Sequence, residues 1–136
     1  YDNTKLAYKD IPDKFQGGFR NFAAIVGLQA SISFLNSIGI SNIREKIIGL
    51  ADLLREELAK IPDVTLCGPE DRNKRTSIVS FSIANKSPQE VVEKLERQKI
   101  ILAVREISET KVIRASPHFF NSELDIRKLA VAIKRL

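Results

Sequence analysis

Residues 77–115, SIVSFSIANKSPQEVVEKLERQKIILAVREISETKVIRA, hold a strand, a helix and two further strands in one run, and their order decides the fold. From Ser77 to Ile83 the residues alternate: Ile78, Ser80 and Ser82 fall on one face, Val79, Phe81 and Ile83 on the other. Successive side chains leave a strand on opposite sides, so this alternation predicts a half-buried strand. Ser87-Pro88-Gln89-Glu90 then opens a helix. A serine at the N-cap, a proline at the first helical position and a glutamate at the third let hydroxyl and carboxylate satisfy the free N–H groups reciprocally. The helix carries Val91, Val92 and Leu95 and ends near Gln98. The β-branched, apolar run Ile100–Val104 predicts a buried strand and Lys111–Ala115 another, separated by a polar turn around Ser108.

Upstream, residues 1–20 carry Pro12, Gly17 and Gly18 with few periodic apolar positions, which predicts an extended lead-in segment. Residues 21–136 are then expected to form one small domain. Asn21 is placed to cap a helix bearing Phe22, Ile25, Leu28, Ile32 and Leu35, with Gly39 as its stop. A second helix starts near Ser41 or Asn42, puts Ile43, Ile47, Leu50, Leu54, Leu58 and Ile61 on one stripe, and ends before Pro62. Val64–Cys67 has short strand character and Gly68-Pro69 closes it. Downstream, Ser122-Glu123-Leu124-Asp125 opens a last helix with Leu124, Ile126, Leu129, Ile133 and Leu136 inward. The element order ααββαββα predicts an α+β sandwich, a small and mostly antiparallel sheet of roughly four strands covered by helices.

The chain has 136 residues, 43% of them hydrophobic, enough for a single core. One cysteine, Cys67, and one histidine, His118, exclude a disulfide framework and a Cys/His metal site within the chain, so no metal is expected. The thiol content fits a reducing, cytoplasmic setting. No window reaches the roughly 18 to 20 apolar residues of a membrane span, and the polar start Tyr1–Asp10 does not read as a signal peptide. The net charge of +5 is spread over helix faces such as REK at 44–46 and REE at 55–57. With two tyrosines and no interleaved aromatic and basic platform, nucleic acid is not an expected partner. Arg72-Asn73-Lys74-Arg75, with Glu70 and Asp71 beside it, is a plain exposed connection rather than a phosphate site on balance.

Chemistry concentrates in Arg114-Ala115-Ser116-Pro117-His118-Phe119-Phe120-Asn121, which sets arginine, hydroxyl, imidazole and amide at a strand's end before a helix. A guanidinium there suits a carboxylate, which it can clamp through two parallel N–H bonds. From the residues alone, a structural ion pair for Arg114 and a satisfied polar role for His118 remain the commoner outcomes.

The stretch VIRASPHFFNSELDIRKL, residues 112–129, resembles the closing signature of class V, fold type I pyridoxal-phosphate enzymes, the aminotransferase and cysteine desulfurase family. KFQGGFRNFAAIVGLQASISFL, residues 14–35, resembles an earlier family stretch through Gly18, Asn21, Gly27 and Leu28, and IPDVTLCGP and SIVSFSI follow in the family's order. The resemblance implies the C-terminal small domain of such an enzyme, with Arg114 binding the α-carboxylate of an amino-acid substrate. Ser116, His118 and Asn121 would stand behind it, with Asn121 or Ser122 as helix cap. It also implies pyridoxal phosphate in the parent enzyme, a large N-terminal domain preceding Tyr1 as partner, and a homodimer. No lysine here matches the one that carries the cofactor, so no covalent cofactor and no activity are expected of the chain alone. Phe19 stands where the family usually has a phosphate-touching threonine, which leaves the N–H groups of Gly18 and Phe19, or the side chain of Arg20, for that contact. Residues 105–111, REISETK, hold no thiol where dedicated desulfurases carry a nucleophilic cysteine. The expected branch is therefore aminotransferase, epimerase-like or cysteine/selenocysteine lyase. A free-standing small-ligand-binding or regulatory module without catalysis is the alternative.

Overall fold

The computed structural model describes residues 7–136, which group into two units, 7–38 and 39–136. In the first, a 3-10 turn at Asp13–Phe15 precedes helix α1, Phe22–Ile38. Asn21 caps α1 as its sequence predicts: its Oδ1 accepts from the Ala24 N–H at 3.0 Å. Helix α1 has no charged residue and buries none of its side chains; Phe22, Val26, Leu28 and Phe34 are all exposed.

The second unit opens with α2, Ile40–Ala59, one residue ahead of the expected start. Gly39 at its N-cap has φ of 90°, a backbone state that the missing Cβ permits. The stripe read from the sequence is the buried one, with Leu50, Leu54 and Leu58 nearly inaccessible. The sheet follows, built from β1 Val64–Cys67, β2 Val79–Ile83, β3 Ala103–Ile107 and β4 Thr110–Ala115 in the order β1-β2-β4-β3. All neighbours are antiparallel, with Leu66 opposite Phe81, Phe81 opposite Ile113, and Ile113 opposite Val104. Helix α3, Pro88–Glu96, links β2 to β3, and α4, Glu123–Lys134, closes the chain. This is the small antiparallel sheet with helices in the order ααββαββα that the sequence predicts.

One core serves the unit. Val79, Phe81 and Ile83 of β2 and Ile113 and Ala115 of β4 join Leu50, Leu54 and Leu58 of α2, Val91 and Leu95 of α3, and Ile126, Leu129 and Ile133 of α4. Those strand residues share one face, so the helices meet the sheet there. Val112 is the one buried strand residue outside that cluster, on the reverse face.

Leu124, expected inward on α4, is instead 60% exposed, and two further local expectations are corrected. The strand expected over Ile100–Val104 begins only at Ala103 and continues to Ile107. Lys99 turns the chain at φ 64°, the Ile100 N–H bonds the Leu95 carbonyl at 3.0 Å, and Ile100 and Leu102 pack on the core from this connection. The apolar run thus belongs partly to the helix exit. The strand's other half, Arg105–Ile107, is exposed, and its Arg105-Glu106 pair breaks the hydrophobic run.

The second correction concerns capping. Ser87 sits at the α3 N-cap without a side-chain cap bond. Pro88 presets the first turn and removes one free N–H, and the exposed end is open to water. The reciprocal box forms instead at α4: the Asp125 N–H donates to Ser122 Oγ at 3.3 Å, and the Ser122 N–H donates to Asp125 Oδ2 at 2.9 Å. Ser122→Ala is therefore expected to cost about 1 kcal/mol in urea unfolding, and Ser87→Ala only a few tenths. Equal losses at both sites would contradict this assignment.

The Ser122 N–H, and after it the Ser122 hydroxyl, hold the Asp125 carboxyl below the usual carboxylate range. A depressed native value stabilises the fold above the unfolded value near about 3.9, and that contribution is lost as pH falls through the native one. The melting difference between wild type and Ser122→Ala should accordingly shrink between about pH 5 and pH 2.

Candidate functional site

The register assembles a distinct reverse face. Cys67 lies opposite Ser80, Ser80 opposite Arg114, and Arg114 opposite Ala103, so these four form one row across all strands. The adjacent row pairs Thr65 with Ser82, and Val112 with Arg105. Directly opposed residues of antiparallel strands point to the same side. Hydroxyls, one thiol and two guanidiniums therefore share the side of the sheet away from Phe81 and Ile113.

Arg114, near the end of β4, is half-buried, and its Nε is buried with no hydrogen-bond partner among the described residues. No carboxylate among the described residues lies within ion-pair distance of it, whereas Arg20, Arg72, Arg75 and Arg127 each have at least one. A buried charged donor left unpaired is costly, so this guanidinium is prepared for an anion.

The following segment holds its own shape. The His118 N–H donates to Asn121 Oδ1 at 2.9 Å, and the Asn121 N–H returns to the His118 carbonyl at 2.9 Å. Asn121 thus closes the loop, and Ser122, the other residue considered for the cap, is the one that caps α4. The exposed imidazole of His118 lies 4.7 Å from the Phe119 ring and 4.9 Å from that of Phe120, stacked on the latter at 29°. Ser116 is exposed and, with Pro117 and Asn121, lines a groove of about 770 Å³ between the connection before β3 and helix α4. Neither Arg114 nor His118 lines that groove, so the four residues singled out in the sequence do not converge on one cavity.

Other groups are accounted for locally. Arg72 Nε lies 2.8 Å and Arg75 Nη1 3.8 Å from the Asp52 carboxylate, while Arg75 also donates to the Pro69 and Glu70 carbonyls. The basic loop is thereby tied to α2. Nearby, burial and then the Arg75 charge push the Arg55 guanidinium below its ordinary value, with Asp52 opposing. Cys67 is a free, half-buried thiol.

In the first unit, Gly18 has φ of 82° with open space where a Cβ would stand. Phe19 is 93% exposed and meets the Phe22 ring edge-on at 5.7 Å. The Arg20 guanidinium lies 3.6 Å from the Asp13 carboxylate, and the Gly18 and Phe19 N–H groups have no partner among the described residues. As a test of fit to pyridoxal phosphate, this loop offers backbone donors but no side-chain hydroxyl and no glycine-rich cradle. The unpaired Nε of Arg114 suits an anion better than this loop does.

Arg105 is the residue that sequence periodicity passed over. It is exposed, and its Nη1 donates to the Val104 carbonyl at 2.8 Å. The signal lay in the turn: Ser108 and Glu109, at φ 46° and 67°, make a two-residue hairpin that pairs Arg105 with Val112. Counting outward from it puts Arg105 and Arg114 on one face.

A probable cysteine desulfurase of Halalkalibacterium halodurans is 30% identical over 99% of this chain, which spans 34% of that protein. One from Methanothermobacter thermautotrophicus is 29% identical over 94% of the chain and 35% of its own length. Among solved structures, the cysteine desulfurase CsdA from Escherichia coli superposes with a TM-score of 0.83 at 26% identity, over 93% of this chain and 33% of that one. The apo cysteine desulfurase of Thermococcus onnurineus NA1 gives 0.85 at 23% identity over 91% and 33%, which speaks to the fold. The chain therefore spans about a third of these relatives. The model of the aminotransferase class-V family matches residues 1–129, and the chain belongs to that family.

Proposed function

We propose that this chain is the C-terminal small domain of a longer pyridoxal-phosphate enzyme, and that it binds the α-carboxylate of an amino-acid substrate through Arg114. The observation that carries this is the buried Nε of Arg114, without a hydrogen-bond partner among the described residues, on the face of the sheet away from the helices. A carboxylate there accepts two parallel N–H bonds from the planar guanidinium, which fixes both position and rotation of the substrate. Ser80, directly opposite Arg114, borders the same place with a hydroxyl. Asn121 keeps the chain after Arg114 in one conformation, and Ser116 and His118 stand beside it on exposed turns. When bound, the cofactor supplies the electron sink for breaking a bond at the substrate Cα, and the contribution of this domain is orientation.

The Gly18 and Phe19 N–H groups, or else the Arg20 side chain now paired with Asp13, would contribute a contact to the cofactor phosphate. The rest of the cofactor site and its lysine lie in the large domain, and the full enzyme acts as a cytoplasmic homodimer. No single helix among the described residues is long and apolar enough to cross a membrane. The relatives named as cysteine desulfurases support the lyase branch. The tight hairpin over residues 103–115, without a thiol, supports an aminotransferase, epimerase-like or cysteine-independent lyase reaction instead of dedicated desulfuration.

Mixing the chain with pyridoxal phosphate, reducing with borohydride and mapping peptides by mass tests the division of labour. The expected result is no stoichiometric lysine adduct on residues 1–136 and one adduct outside them in the full-length enzyme. A single saturating adduct on one lysine of this chain would overturn the proposal.

A further inference from the structure

We infer that the groove between α4 and the connection before β3 is a docking site for a partner protein, from which it takes a short, acidic, amphipathic helix. The site is separate from the face that holds Arg114, since neither Arg114 nor His118 lines it. Along α4 and its C-cap, Leu124, Lys128, Val131 and Arg135 line the groove at spacings of four, three and four, which sets them on one stripe. Ile126, Leu129 and Ile133, on the other side of the helix, fill the core. Lys99 and Ile101 stand on the opposite wall. Ile101 is 73% exposed and Val131 49%, although their neighbours Ile100, Leu102 and Ala132 all pack into or against the core. With Leu124 they form an apolar strip left open among the described residues of this unit.

The charge along this strip is one-sided. Lys99, Arg127, Lys128 and Arg135 line the groove against a single carboxylate, Asp125, which already accepts from the Ser122 N–H and hydroxyl. Arg127 is paired with Glu57 and Glu123, whereas Lys99, Lys128 and Arg135 make no ion pair among the described residues. A helix face meant only for water ordinarily intersperses both signs, because acids three or four residues from bases support the helix. Cations on both walls with apolar side chains between them match an occupant whose apolar stripe is edged by carboxylates. The length fits as well: from Leu124 to Arg135 the chain rises roughly 16 Å, about three turns of a docked helix. Two walls make the site concave, so it suits a rod better than the flat surface of a bilayer. No aromatic side chain lines it, so nucleic-acid bases would find nothing to stack on.

The test follows the fluorescence anisotropy of a labelled synthetic peptide as full-length enzyme is added. The peptide is three helical turns long, with leucines at spacings of three and four and glutamates elsewhere. Saturable binding is expected, at least tenfold weaker when lysines replace the glutamates. Val131→Glu should weaken the glutamate peptide at least tenfold, and Lys128→Glu combined with Arg135→Glu should reverse the preference toward the lysine peptide. All three positions are exposed and none lies on the face that holds Arg114, so the urea midpoint and kcat/KM for the amino-acid substrate should stay at wild-type values. No binding, equal binding of the two peptides, or binding that survives Val131→Glu overturns the inference. So does a loss of binding that comes only with a lowered urea midpoint in both variants, which would make these residues structural. Vesicles of phosphatidylglycerol that bind through Val131 and Lys128 while the glutamate peptide does not would also overturn it, by giving the groove to a membrane surface.

Discussion

Arg114→Ala in the full-length enzyme is expected to lower kcat/KM for the amino-acid substrate by roughly two to three orders of magnitude. Removing one partner of a buried, hydrogen-bonded charge pair costs about 2–5 kcal/mol, and each 1.36 kcal/mol is about tenfold. Arg114→Lys should recover only part, since an ammonium cannot make the two parallel bonds of the guanidinium fork. Folding responds differently. The Nε is buried without a partner, so its removal deletes no internal hydrogen bond, and urea unfolding of Arg114→Ala should match or slightly exceed wild type. A variant that loses stability and keeps kcat/KM would identify Arg114 as a structural residue and remove the proposed role.

The other large effect belongs to Phe81, whose replacement by alanine is expected to cost about 3–5 kcal/mol. Phe81 is fully buried at the middle of β2, flanked in register by Leu66 and Ile113 and covered by the helices. A domain of ordinary stability has about 5–15 kcal/mol in total, so the variant should sit near the edge of folding at 37 °C. Ser82→Ala, one residue along on the reverse face, serves as control and should change the urea midpoint little. Comparable losses at positions 81 and 82 would mean that the helices do not bury the face assigned here.

The fold was legible because its buried faces are periodic. Val79, Phe81 and Ile83 announce β2, and the stripe from Leu50 to Leu58 announces α2, since burial selects side chains at the spacing of the element. Legibility failed where other forces decide. Ile100 and Leu102 are apolar because they reach the core from a helix exit, so a strand read from hydrophobicity begins too early. The Ser87 and Ser122 segments both announce capped helices, but only the Ser122 hydroxyl takes up the geometry; composition does not fix a side-chain rotamer. Within the site, Arg114 could be nominated from its segment, yet its unpaired Nε is a fact of packing. Asn121 was nominated beside it and proves to close its own loop. Arg105 looked like one more surface cation until pairing set it across from Val112.

The hairpin that joins β3 to β4 carries a consequence for how such a domain can change. Ile113 anchors β4 in the core, and its pairing with Val104 holds β3 in register independently of the turn. Everything from Arg105 through Lys111 is exposed. Lengthening a connection is cheap, about 0.6 kcal/mol per doubling, so this tip can be replaced by loops of other lengths without disturbing the sheet. Evolution, or a protein engineer, can therefore exchange groups at this tip beside a fixed Arg114 as one exchanges bits in a drill, keeping the chuck.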